Sequence, residues 1–201
     1  MSQSLVLASS SPRRKQLLEM LGISVLVQPS FIPEEHRAGE LPVDYSTRLA
    51  REKAACIEGD LVLAADTIVV LEGEILEKPA SETHALEILR RLQGRTHEVV
   101  TTIALRHGGS TEVATDITKV TFRSADDELL LQYIATGEPM DKAGAYGIQG
   151  YGGALIDRVE GDVFGVMGLP IRLVLELLAR AGFAYTFTAG LVPVSRLRSP
   201  L

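Results

Sequence analysis

Leu5-Val-Leu-Ala-Ser-Ser-Ser-Pro-Arg-Arg-Lys-Gln-Leu-Leu18 changes character twice along its length. Leu5–Ala8 is a short aliphatic run with no helical period, which predicts a buried strand. Ser9-Ser-Ser-Pro12 interrupts it. Leu17, Leu18 and Leu21 then recur at helical spacing up to Gly22, a helix stop. Outward from this stretch, Ile23–Val27 reads as a second strand and Asp44–Ile57 as a helix with Leu49, Lys53 and Cys56 along one side. Leu61-Val-Leu-Ala-Ala65 repeats the buried-strand pattern and is expected to end at Asp66, while Val69–Leu76 folds back around Glu72-Gly73 as a hairpin.

The second half continues in the same mixed manner. Ser81 caps a helix to about Leu92. Glu98–Arg106 and Glu112–Phe122 are strand-rich arms joined by His107-Gly-Gly-Ser110, a hairpin signal. Ser124 with Asp127 three places on starts a helix to about Ala135, and Asp126-Asp-Glu128 supplies an acidic first turn that suits the helix dipole. A glycine-dense stretch, Gly144–Gly153, and one more strand pair precede Gly168-Leu-Pro170, where proline opens a last helix closed by Gly182. The fold class is therefore α/β: an elongated mixed sheet flanked by helices, with two lobes and a cleft. Residues 1–185 form a single domain, and 186–201 a patternless, mobile tail.

Composition sets the outer limits. Of 201 residues, 46% are apolar and 23% charged, which excludes wholesale disorder and fibrous repeats. Twenty basic against twenty-six acidic side chains give a net charge of −6, so nucleic acid is not the expected partner. Cys56 is the single cysteine and no two histidines have the i,i+4 spacing of a helical metal pair, so any metal is expected to be a hard cation on carboxylates. No stretch is long and apolar enough for a membrane span, and the first apolar run has no positive charge ahead of it. The expectation is a cytoplasmic protein.

Four groups of residues could carry chemistry. Ser9-Ser-Ser-Pro-Arg-Arg14 pairs hydroxyls and two arginines with a helix amino terminus, a setting for phosphate; an ordinary cap with solvated arginines accounts for the same residues. No GxxxxGK[ST] loop occurs. Asp66 at a strand end suits a ligand site, or a turn aspartate bonding its own backbone. With Glu34 or Glu35 it supplies the separated carboxylates that a magnesium–phosphate site needs, unless the glutamates simply sit in a solvated loop. Lys53 and Lys78 are cations that surface lysines could equally be. In Asp141–Gly150, glycines admit close backbone approach and Tyr146 and Gln149 could stack on and bond a base, or the segment is a plain glycine turn.

Leu7–Leu18 resembles the opening signature of the Maf family of nucleoside triphosphate pyrophosphatases. Arg48–Ala54, Ala65-Asp-Thr67, Gly73–Pro79, Gly94-Arg-Thr-His97, Asp141–Gly150 and Val166–Pro170 resemble further family blocks in family order, so the likeness runs from about Leu5 to Arg180. The resemblance implies the inosine triphosphatase-like fold, a homodimer, a divalent cation (magnesium or manganese), and hydrolysis of a nucleoside triphosphate to the monophosphate and pyrophosphate. It places Ser9, Arg13 and Arg14 on the phosphate-binding signature, Asp66 on the proton acceptor, and Glu34, Lys53 and Lys78 on polar active-site positions, with Glu34 and Asp66 as the metal-binding carboxylates. The family usually has an acidic residue before the glutamate aligned to Glu34; here it is Pro33, so Glu34 and Glu35 stay alternatives. Arg13, Thr67 and Gln149 fall on the specificity positions and match the dTTP/UTP branch rather than the one directed at 7-methyl-GTP. A nucleotide-binding regulator of cell division or stress that does not hydrolyse its ligand is the alternative.

Overall fold

A computed structural model describes residues 4–197. The elements run β1 (Leu5–Ala8), α1 (Pro12–Met20), β2 (Val25–Val27), α2 (Pro42–Ala55), β3 (Leu61–Leu71), β4 (Glu74–Leu76), α3 (Glu82–Leu92), β5 (Thr96–His107), β6 (Ser110–Phe122), α4 (Asp127–Ile134), β7 (Ile156–Glu160), α5 (Val163–Val166), α6 (Ile171–Arg180), β8 (Phe183–Thr186), β9 (Gly190–Pro193) and α7 (Val194–Leu197). Seven strands form one sheet in the order β2-β1-β3-β5-β6-β7, with β4 also paired to β3; β8 and β9 form a separate pair. β1 runs parallel to both β2 and β3, whereas β4 lies antiparallel to β3 and β7 to β6. The mixed α/β class is the one expected.

The chain makes two compact units. The first holds the residues up to Asp66, Thr102–Thr115 and those from Gly168 on; the second holds Thr67–Thr101 and Asp116–Met167. The first unit packs β1 and the start of β3 on α2 through small residues, with Val6, Ala8, Ala50, Ala54, Val62, Ala64 and Ala104 in one buried cluster. α6 adds Ile171, Leu173, Val174, Leu177 and Leu178, all buried, each stabilising the unit by about 2 kcal/mol. The second unit has a larger core, in which Leu89 and Leu92 of α3 and Leu130 and Ile134 of α4 pack with Val120, Phe122 and Tyr146. The β3–β4 turn is the expected hairpin: Glu72 and Gly73 both have positive φ, 54° and 84°, as tight hairpins require.

Four local readings are corrected. β3 does not end at Asp66 but continues to Leu71, because Thr67-Ile-Val-Val-Leu71 prolongs the β-prone run and Asp66 finds a cation inside the fold. Helix α4 is capped by Asp126, whose side chain accepts from Leu129 N at 2.9 Å, rather than by Ser124. Only β7 occupies the expected last strand pair; beyond it Asp162 accepts from Phe164 N and Gly165 N and starts α5 instead. The segment after Thr186 is patterned as far as it is described, since Gly190–Pro193 pairs with Phe183–Thr186 and α7 follows. The expected tail residues 198–201 lie outside the described residues. Among the described residues no helix is long and apolar enough to cross a membrane.

Candidate active site

The first unit holds six of the predicted residues, Ser9, Arg13, Arg14, Glu34, Lys53 and Asp66. Lys53 lies on the buried face of α2, where an ammonium needs a charge partner. It finds two: Nζ is 2.7 Å from Asp66 Oδ1 and 2.7 Å from Glu34 Oε1. Asp66 is 4% exposed in the middle of β3, so it is a core position and not the strand-end site expected. Its other oxygen, Oδ2, is buried and has no hydrogen-bond partner among the described residues. Glu34, rather than Glu35, puts its carboxylate on Lys53.

Arginine and hydroxyl chemistry adjoins this cluster. Ser9 is buried, and its Oγ accepts from Ser11 N at 3.2 Å and Arg14 NH1 at 3.1 Å. Arg14 Nε donates to Gly168 O at 2.8 Å, which ties α1 to the segment leading into α6. Burial pushes the Arg14 guanidinium below its ordinary range, and Asp66 opposes that shift. Arg13 is half-buried on the same helix. Pro12 stands in the first turn of α1 and Ser11 at its cap without a side-chain cap bond.

Two residues that sequence reasoning did not single out hold Glu34 in place. Tyr45 OH donates to Glu34 O at 3.0 Å, and Arg48 donates to Glu35 O at 3.0 Å. Arg48 also grips Glu40 through both carboxylate oxygens, at 2.6 and 2.8 Å, and stacks over the Tyr45 ring at 5.4 Å. The irregular stretch carrying Glu34 is thus pinned to α2 by its backbone. Arg48 opens one of the family-like blocks, which is the signal that could have found it.

The second unit carries the remaining predicted residues, Thr67, Lys78 and Gln149. Thr67 is half-buried, its hydroxyl bonded to Thr101 Oγ1 at 3.0 Å. Lys78 and Gln149 are exposed, the latter in a loop between two short 3-10 turns. His97 and Tyr146 are buried together, with Nε2 and the phenol oxygen 2.7 Å apart and Phe122 edge-on to both rings. Burial pushes His97 down to about 4 and Tyr146 above the usual phenol range, so both are neutral near pH 7. Cys56, expected on the inner side of α2, is exposed.

Known proteins resemble the chain over most of its length. A family model for Maf-like proteins matches residues 4–181. The chain is 48% identical over 182 residues to the dTTP/UTP pyrophosphatase of Koribacter versatilis (strain Ellin345), covering 89% of this chain and 94% of that one. It is 49% identical over 180 residues to the dTTP/UTP pyrophosphatase of Salmonella typhimurium (strain LT2), covering 87% and 91%. In three dimensions it is similar to the Staphylococcus aureus Ham1 protein, with a TM-score of 0.51 and 15% identity over 89% of this chain and 99% of that one, a likeness of fold alone. With its motifs in order from the first strand to the last long helix, and with relatives near half identity over nearly their whole length, the chain belongs to the Maf-like protein family.

Proposed function

We propose that the protein is a nucleoside triphosphate pyrophosphatase that converts dTTP and UTP to the monophosphate and pyrophosphate. The observation that carries the reading is one buried ammonium held 2.7 Å from each of two carboxylates, beside an Asp66 oxygen without a hydrogen-bond partner among the described residues. The names of the relatives at 48–49% identity supply the substrate.

In the proposed step, a water oxygen bonds to the α-phosphorus as the bond from that phosphorus to the bridging oxygen breaks. The water's proton passes to Asp66 Oδ2, and pyrophosphate leaves with the electron pair. Lys53 already bridges two anions and can exchange one for a phosphate oxygen without leaving its place. Arg13, Arg14 and Lys78 offset the charge that gathers on the phosphates, a contribution strongest where the donors are fixed in advance. Ser9 and the amino end of α1 cradle a phosphate. Thr67 and Gln149 select the base; their roles, like that of Lys78, rest on the family motifs.

The residues present fit a divalent cation. Glu34 and Asp66 offer hard carboxylate oxygens at one place, and magnesium commonly takes one or two carboxylates with substrate phosphates. When bound there, it would neutralise triphosphate charge. Among the described residues no three His, Cys, Asp or Glu side chains form an all-protein metal cage. The family resemblance further supports a cytoplasmic homodimer that needs no nucleic acid, which gel filtration with light scattering tests for assembly.

The deciding experiment incubates the protein with dTTP or UTP and magnesium or manganese and separates the products by chromatography. Monophosphate and pyrophosphate are expected. Diphosphate with orthophosphate, or binding without turnover, would sink the proposal; the second result would leave the regulator reading standing.

A further inference from the structure

The glycines of Gly147-Ile-Gln-Gly-Tyr-Gly152 are expected, from sequence, to let backbone approach a ligand. In the structure, what approaches them is the protein itself. The Glu138 carboxylate accepts from Tyr151 N at 2.8 Å on Oε2, and from Gly152 N at 3.0 Å and Tyr133 OH at 2.9 Å on Oε1. The same phenol oxygen accepts from Gly147 N at 3.2 Å. A Cβ at Gly150 would overlap the Glu138 carboxylate, and one at Gly152 would come within 2.6 Å of both Tyr133 OH and Gly147 O. A Cβ at Gly147 would meet the Lys142 side chain at 2.7 Å. These positions are glycine because a staple passes through them.

Between the two anchored ends sits Gln149, exposed. A side chain meant to read a base edge must be held in one place before the base arrives, since an adaptable one accepts any edge. We infer that Glu138, together with Tyr133, is the positioning residue that fixes the Gly147–Gly152 backbone and so sets nucleobase discrimination through Gln149. The inference rests on the proposed reading of a base-selective nucleotide site.

The chemistry of Glu138 is specific. Both oxygens act as acceptors, so a glutamine would turn one N–H donor toward another. Its carboxyl lies below its ordinary range, because the Gly152 and Tyr151 amides, the Tyr133 hydroxyl and Lys142 together outweigh burial, the largest single influence and an opposing one.

The test compares binding of non-hydrolysable α,β-imido analogues of UTP and GTP by calorimetry, in wild type, Glu138→Gln, Tyr133→Phe, Gln149→Ala and the double variant Glu138→Gln/Gln149→Ala. Amide hydrogen exchange over residues 147–153 is followed alongside. Glu138→Gln should speed that exchange and lower the UTP-over-GTP preference by at least about tenfold, as expected when a polar recognition edge is left mispaired. Its effect should vanish when Gln149 is already alanine, the mark of one residue acting through another. A preference unchanged by Glu138→Gln, or an additive double variant, would overturn the inference. If Glu138→Gln does not fold, Tyr133→Phe decides: it should cause a smaller loss of the same kind, and an unchanged preference overturns the staple. A wild-type protein without base preference also overturns it, whatever its products. Hydrolysis to products other than pyrophosphate, with the preference intact, would overturn the proposed reaction and leave the staple standing.

Discussion

Asp66 and Glu138 are carboxylates, one in each compact unit, the first buried and the second half-buried, and they are satisfied in opposite ways. Glu138 has a donor on each oxygen, all three of them neutral backbone or phenol groups. Asp66 has an ammonium on one oxygen and nothing among the described residues on the other, although it is 4% exposed. A buried polar atom without a partner typically costs about 1–3 kcal/mol, which a purely structural carboxylate has no reason to bear. The finished carboxylate holds a loop still, and the unfinished one has capacity left for a proton or a cation. The two can be told apart by what is missing around them, before any family is considered.

The strongest way to break this contrast is Asp66→Asn. It keeps the shape but removes charge and basicity, and steady-state turnover of dTTP should fall roughly 10²–10⁴-fold, the usual worth of a general base. Near-normal turnover in a folded variant would move the base to Glu34 or Glu35. Because Asp66 lies inside β3 rather than at its end, a thermal melt must accompany the kinetics.

Lys53→Met attacks the same carboxylate from the other side. Removing one partner of a buried ion pair strands the other, at about 3–5 kcal/mol, so chemical denaturation should show a loss of that order and the melting temperature a drop of roughly 10 °C. Replacing both, as Lys53→Met with Asp66→Leu, should recover much of the stability and none of the activity. If Lys53→Met melts like wild type, the pair is not the buried bridge described.

His97 sharpens the comparison, since its Nδ1 is likewise buried and unpartnered among the described residues. Its pKa is lowered to about 4 by burial, from an ordinary value near 6.5. The unfolded chain therefore binds more protons between these values. The His97 contribution is complete above about pH 6.5 and is lost as pH falls toward 4, about 3 kcal/mol in all. Denaturant midpoints measured from pH 7 to 4 should fall less steeply in His97→Phe than in wild type; equal slopes would show the imidazole is not held neutral.

Much of this was legible from local pattern. β1, the start of β3 and the hairpin at Glu72-Gly73 follow from aliphatic runs and turn residues alone, and Lys53 falls on the mostly apolar side of its helix, where a surface lysine was the equal alternative. Asp66 inside a strand was not legible, because the partner that lets the strand continue lies thirteen residues back on α2, and no window over β3 contains it. Choosing Asp126 over Ser124 as the cap was a contest among neighbouring acceptors that only the entry angle of the chain resolves. Glu138 escaped for the opposite reason. The glycines announce that something passes close to them, without saying that it is a carboxylate from the preceding turn.

The three-part make-up of the first unit bears on how a ribosome delivers it. The second unit lies wholly within Thr67–Met167, whereas the first still lacks everything from Gly168 on when that stretch has been made. Arg14, synthesised long before Gly168, must wait for Gly168 O. Chains grow from the amino end, so the earlier segment of this unit is completed only by its latest one. Until then, the segment up to Asp66 has one face of its strands packed on α2 but lacks the chain from Gly168 on that completes its unit.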